Sequence, residues 1–150
     1  MSSKLSKILS GVSGEYFVAA ELSRRGYVAS LTLKNTQGID LLAAKVDASR
    51  SVAIQVKTNQ GSAHEWLLDK KVELPQAPHL FFVFVALRGQ DTPRYHVVPG
   101  QVVSEYCTRT HREYLAAKGR GGRTRKDTDM RSFKNPGGAY VDKWELLGLD

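Results

Sequence analysis

The spacing of apolar positions changes several times along the chain, and each change marks a boundary. Over residues 3–25, Leu5, Ile8, Leu9, Val12, Tyr16, Ala19 and Ala20 recur at three- and four-residue steps. At about 100° per residue they draw one apolar arc, so an amphipathic helix is predicted, ended by Gly26. Residues 27–33 follow as a first strand, and the polar loop 34–38 leads into a second at 38–44. A two-residue alternation then takes over. Val52, Ile54 and Val56 fall on one face, and Ala53, Gln55 and Lys57 on the other. The connection 45–50 is short enough for an antiparallel hairpin between these two runs.

Residues 58–64 are rich in small and amide side chains, Trp66-Leu67-Leu68 returns to the core, and Pro75 and Pro78 bracket a turn. The run 80–87 is apolar without alternation, as expected of a central strand covered on both faces. A further strand is predicted over 94–98, and Pro99 suits the start of a helix over 101–118. The predicted order is helix, three strands, a short connection, two strands and a helix. A chain of 150 residues without internal repeats fits one domain, 1–150.

Charge narrows the partners. Twenty-two basic against fifteen acidic residues leave a net +7, with a sequence pI near 9.6, a balance that favours a polyanion. The excess is concentrated at 118–134, where Lys118, Arg120, Arg123, Arg125, Lys126, Arg131 and Lys134 face only Asp127 and Asp129. With glycines at 119, 121 and 122, that stretch reads as a flexible basic arm that can follow a nucleic-acid backbone, or as a solvated loop. The apolar end 139–147 is expected to dock back onto the domain.

Cys107 is the only cysteine, so neither an intrachain disulfide nor a thiolate cluster for zinc is available. Glu15 interrupts the run that would serve as the core of a signal peptide, and no stretch approaches bilayer length. A soluble, cytoplasmic protein with no membrane partner is expected. No serine elbow or Gly-Lys-Ser/Thr loop occurs. Cys107 and His111 stand four apart but lack two further ligands nearby, and His64, His79 and His96 show no zinc spacing.

The chemistry gathers at the hairpin. Paired as predicted, Asp40 lies beside Gln55 across the ladder, and Lys57 points the same way. An acid, an amide oxygen and an ammonium would meet at one end of a small sheet, with the Val56 carbonyl between them. Hard oxygens of this kind suit a divalent cation, and a neighbouring lysine suits a water attacking phosphate. The plainer alternative is a wet strand face that happens to carry Gln and Lys. Glu15 falls at the edge of the helical arc, and Gly11, Val12, Val18 and Ala19, its neighbours at three and four residues, offer no charge. It takes a partner from elsewhere, such as Lys57 or a metal, or snorkels to solvent.

Glu15 in Gly14-Glu15-Tyr16, Gly38-Ile39-Asp40, and Gln55-Val56-Lys57 some fifteen residues later together resemble the PD-(D/E)XK nuclease superfamily, and within it the small Holliday-junction-resolvase-type enzymes. The likeness covers about the first ninety residues. It implies an α/β fold with a restriction-endonuclease-like αβββαβ core, in which helices flank a mixed central sheet. It also implies a metal-dependent endonuclease that hydrolyses phosphodiester bonds in DNA, including branched or structured DNA. Asp40, Gln55, the Val56 carbonyl and Glu15 would hold Mg2+ or Mn2+, Lys57 would orient or activate the attacking water, and two copies would act as a homodimer.

The family usually has Glu or Asp where this chain has Gln55, which lowers the negative charge on the metal by one unit. Contacts to the DNA backbone are expected from Lys34 and Asn35 before Asp40, from Thr58 and Asn59 after Lys57, and from Arg120, Arg123, Arg125 and Lys126. Two other readings stay open: a nucleic-acid-binding protein on the same fold whose chemistry has lapsed through Gln55, and a module that binds an acidic protein.

Overall fold

The computed structural model describes residues 3–33, 37–135 and 137–150, so the loop candidates Lys34 and Asn35 lie outside the described residues. Helix α1 (Lys7–Arg24) starts at Ser6, whose hydroxyl accepts the Leu9 N–H at 3.2 Å. The stripe it buries differs from the predicted arc. Ser10, Gly14, Val18 and Leu22 face the core, whereas Ile8 and Tyr16 are 73% and 61% exposed. Gly14 explains the difference. A Cβ there would stand 1.8 Å from Thr58 Oγ1, so the helix lies closer to the sheet than any larger residue permits. Contact at that distance selects small residues, and of the expected arc Ala19 is the residue that packs against the buried cluster.

The strands are β1 (Val28–Leu31), β2 (Leu41–Ala44), β3 (Ser51–Asn59), β4 (Glu65–Asp69), β5 (Leu80–Ala86), β6 (Arg94–Pro99) and β7 (Met130–Lys134). Five of them form one mixed sheet in the order β1-β2-β3-β5-β6, antiparallel except where β3 and β5 run parallel. A parallel pair needs a crossover. Here it consists of β4 and a 3-10 turn, Lys70–Glu73, and β4 pairs with β7 in a second, two-stranded sheet. Helix α2 (Gly100–Ala116) follows β6 directly.

Alternation along the strands sends side chains into two cores. On one face, Leu41, Ala43, Val52, Ile54, Val56, Val83 and Val85 pack with Val18 and Leu22 of α1, and Trp144, Leu147 and Leu149 from the chain's end close the same cluster. On the other, Phe82, Phe84, Ala86 and Val98 meet Val103 and Cys107 of α2 and Trp66, Leu68 and Phe133 of the small sheet. Because β5 contributes to both, it is buried throughout after Leu80, as its unbroken apolar run predicts.

The basic stretch carries structure of its own. Arg125 lies over the Tyr114 ring at 4.4 Å and donates to the Tyr114 carbonyl at 3.2 Å. Its last residues, 130–134, are β7, where Phe133 stacks on Phe84 at 4.6 Å and Arg131 pairs with Glu73.

Candidate active site

The hairpin pairs Leu41 with Ile54, Leu42 with Ala53 and Ala43 with Val52. Val52, Ile54 and Val56 are buried, while Gln55 and Lys57 are half-buried on the opposite face. Asp40 stands just outside β2. Gly38, at φ +75°, makes the left-handed turn that delivers it. Its N–H donates to the Ile54 carbonyl at 2.9 Å, its own carbonyl accepts the Thr32 N–H at 3.0 Å, and the Thr32 hydroxyl donates to the Ile39 carbonyl at 2.6 Å. Asp40 is thus held from both neighbouring strands.

Its side chain is held as well. The Val56 N–H donates to Asp40 Oδ2 at 2.7 Å. Regular pairing with β2 stops at Leu41 and Ile54, so the Val56 N–H lies past the end of the ladder and takes a carboxylate where a backbone carbonyl would otherwise stand. Such a charge-assisted bond fixes one carboxylate oxygen against the strand segment that carries Gln55 and Lys57. A strand residue directs its N–H and C=O to the same edge, so the Val56 carbonyl also emerges on the Asp40 side.

Glu15 is half-buried and follows Gly14, which lies where α1 crosses Thr58, so α1 carries it on the side of the sheet opposite Gln55 and Lys57. The structure therefore brings Asp40 against the 55–57 segment, with Glu15 on the helix that packs over the other face of that sheet. Among the described residues no three His, Cys, Asp or Glu side chains form a cluster. The donor set at this strand end is one fixed carboxylate, an amide oxygen and a backbone carbonyl, with a second carboxylate on the helix. All are hard oxygens, which fits Mg2+ with water completing its shell.

Lys57 also lines a cavity of ≈ 490 Å³ between β3 and β4, together with Asn59, Glu65 and Leu67. Thr58 and Asn59 turn inward. The Thr58 hydroxyl abuts Gly14, and the Asn59 amide donates to the Ala63 and Glu65 carbonyls at 2.8 and 3.1 Å, tying the loop to β4. Arg120, Arg123 and Lys126 are exposed beyond the C-terminal end of α2, and Arg125 is half-buried on Tyr114. Cys107 is buried, with its thiol pushed up to about 11 by burial and then by Glu73. His111 pairs with Asp127 at 2.7 Å, and among the described residues no metal-holding cluster includes it.

One buried polar group in the same sheet is not visible in the sequence. Register places Lys57, Phe84 and His96 in one row across the sheet. His96 is fully buried, its Nδ1 stands 2.7 Å from Asn135 Nδ2, and its ring lies 5.6 Å from His64 and 4.9 Å from Trp66. Burial, helped by His64 and Arg94, pulls its pKa down to about 4, so the ring is neutral. No motif spacing links positions 64, 96 and 135; only the register does.

No protein-family model matches the chain, and no curated protein does. Solved structures do. A bacterial homing endonuclease superposes with a TM-score of 0.57 over 96% of this chain and 92% of its own, at 17% identity. A Holliday junction resolvase from Archaeoglobus fulgidus, an archaeal hyperthermophile, superposes at 0.53 over 93% of this chain and 97% of its own, at 12% identity. At such identities the likeness is one of fold. The chain has the restriction-endonuclease-like architecture, a mixed five-stranded sheet flanked by two helices.

Proposed function

We propose that this protein is a metal-dependent endonuclease that cuts phosphodiester bonds in DNA. The observation that carries the reading is the Asp40 carboxylate fixed 2.7 Å from the Val56 N–H, at the strand end that bears Gln55 and Lys57, in a chain that shares its fold with a homing endonuclease and a Holliday junction resolvase.

Asp40, the Gln55 amide oxygen, the Val56 carbonyl and Glu15 would hold Mg2+, with Mn2+ as a substitute. When bound, the ion supplies charge stabilisation and a more acidic water. Lys57 orients the attacking water and lies beside the charge that builds on the phosphate. One Asp40 oxygen accepts the Val56 N–H, and the other would face the cation. The net +7 gives the attraction to the DNA backbone. Two copies of the chain would place two such centres on opposite strands of a branched substrate.

The test is nicking of supercoiled and branched DNA in Mg2+ and in Mn2+. Wild type should cut, and Asp40→Asn and Lys57→Ala should each lose on the order of 100-fold or more in rate. Equal cutting by all three proteins would put the activity elsewhere. Gln55 favours one second reading, a DNA-binding protein whose chemistry has lapsed. Wild type that binds DNA and cuts with neither ion would establish it.

A further inference from the structure

We propose a second site, for an unpaired stretch of DNA strand, running from the candidate active site along β4 to α2. It rests on the nuclease reading and adds to it that the substrate presents single-stranded DNA beside the cut.

The cavity that Lys57 lines shares Glu65 and Leu67 with a second cavity of ≈ 450 Å³, so the two adjoin across the outer face of β4. Tyr106, Thr110 and Tyr114 of α2 line the second cavity, opposite Leu67 and Met130. Four-residue steps put those three on one side of the helix, over a length of about 12 Å. Leu67 is 61% exposed, Met130 59% and Tyr114 45%. An aromatic and apolar surface open to water, in a chain this charged, wants an occupant.

The charges say which occupant. Inside the cavity they are matched. Glu65 accepts from the Ser132 hydroxyl at 2.7 Å and lies 3.6 Å from Lys134, Arg131 is buried against Glu73, and His111 pairs with Asp127. Outside it, Arg109 and Arg125 stand over the Tyr106 and Tyr114 rings at 5.5 and 4.4 Å. A neutral aromatic interior with a cationic rim receives bases inside and phosphates outside, which is how single strands bind without sequence preference. An acidic peptide would need the cations inside. A duplex keeps its base faces stacked and cannot fill the cavity.

The experiment measures binding of the full chain in EDTA to a short fluorescent oligothymidylate and to a duplex of the same length. Without metal the readout is independent of cutting, so its failure and a failure of the nicking test are distinguishable. Tyr114→Ala should weaken oligothymidylate binding by roughly tenfold and leave the duplex unchanged, while Tyr114→Trp retains the affinity. Tyr106 packs on Phe133 at 4.9 Å and its loss risks the fold, so Leu67→Glu, on the exposed bridge between the two cavities, is the second variant, with the same expected selectivity. Equal losses on both probes would mean a plain cationic surface, and no loss in either variant would place the single strand elsewhere; each overturns the proposal.

Discussion

At the scale of single residues, the site turns on where one proton or one charge sits. Gln55 differs from Glu by one negative charge beside the proposed cation, and affinity for hard cations rises with the charge of the ligand set. Gln55→Glu should therefore tighten Mg2+ or Mn2+ binding by roughly tenfold in calorimetry; unchanged affinity would mean that residue 55 does not face the ion. His96 makes a different prediction. Its folded pKa of about 4 lies below the ordinary histidine value of 6.5, so between those pH values the unfolded chain binds a proton that the folded chain does not. Stability is full above pH 6.5 and falls as pH drops toward 4, by up to about 3 kcal/mol at 1.36 kcal/mol per unit. Urea unfolding at pH 7 and pH 5 measures it, and His96→Gln should flatten that part of the profile. The same slope in the variant would trace the loss to other groups. The common face of Gln55 and Lys57 and the place of Asp40 at the hairpin's end were legible because a two-residue period and a short hairpin assign faces without tertiary knowledge. His96 was not, since its place in the row of Lys57, one strand beyond Phe84, depends on how β5 and β6 align after the crossover.

At the scale of elements, α1 shows where hydrophobic periodicity misleads. A stripe of Ser10 and Gly14 running into Val18 and Leu22 scores poorly as apolar, yet it is the one the sheet accepts, because closeness at Thr58 matters more than hydrophobicity there. Two effects compete at Gly14→Ala. Helix propensity favours alanine by about 1 kcal/mol, whereas overpacking against a fixed strand costs about 1–3 kcal/mol. A Cβ 1.8 Å from the Thr58 hydroxyl makes the second prevail. The variant should be less stable by about 1 kcal/mol or more, and Thr58→Ala, which removes that oxygen, should recover part of the loss in a double-mutant cycle. Stabilisation by Gly14→Ala alone would show that the helix stands further from β3. The strands gave fewer surprises. The run at 80–87 announced a buried central strand, and the hairpin its own turn. The small sheet stayed hidden because β7 lies inside a stretch whose charges mask it: Arg131 is buried against Glu73, and Phe133 is its main apolar residue in the core.

At the scale of the whole molecule, the motif resemblance reached about ninety residues, while the superpositions extend over 96% and 93% of the chain. The difference lies in β6, α2, β7 and the closing turn, which carry packing and charge but no motif. Their charge is where the molecule as a whole can be tested. Arg120, Arg123 and Lys126 are exposed on the stretch whose Arg125 donates to the Tyr114 backbone carbonyl, a tie that Tyr114→Ala leaves in place. If they follow the DNA backbone, each releases counterions on binding, and the logarithm of the association constant falls against that of salt with a slope of about 0.9 per phosphate neutralised. Replacing all three by alanine should lower the slope by about 2 to 3 and weaken duplex and single strand alike. That uniformity separates them from Tyr114 and Leu67, whose loss should discriminate between the two. A slope unchanged by the triple substitution would mean that DNA enters from the β1–β2 side of the sheet, where Val28, Leu42 and Ser30 leave the outer face open, and the stretch at 120–126 would then serve only to pack against α2.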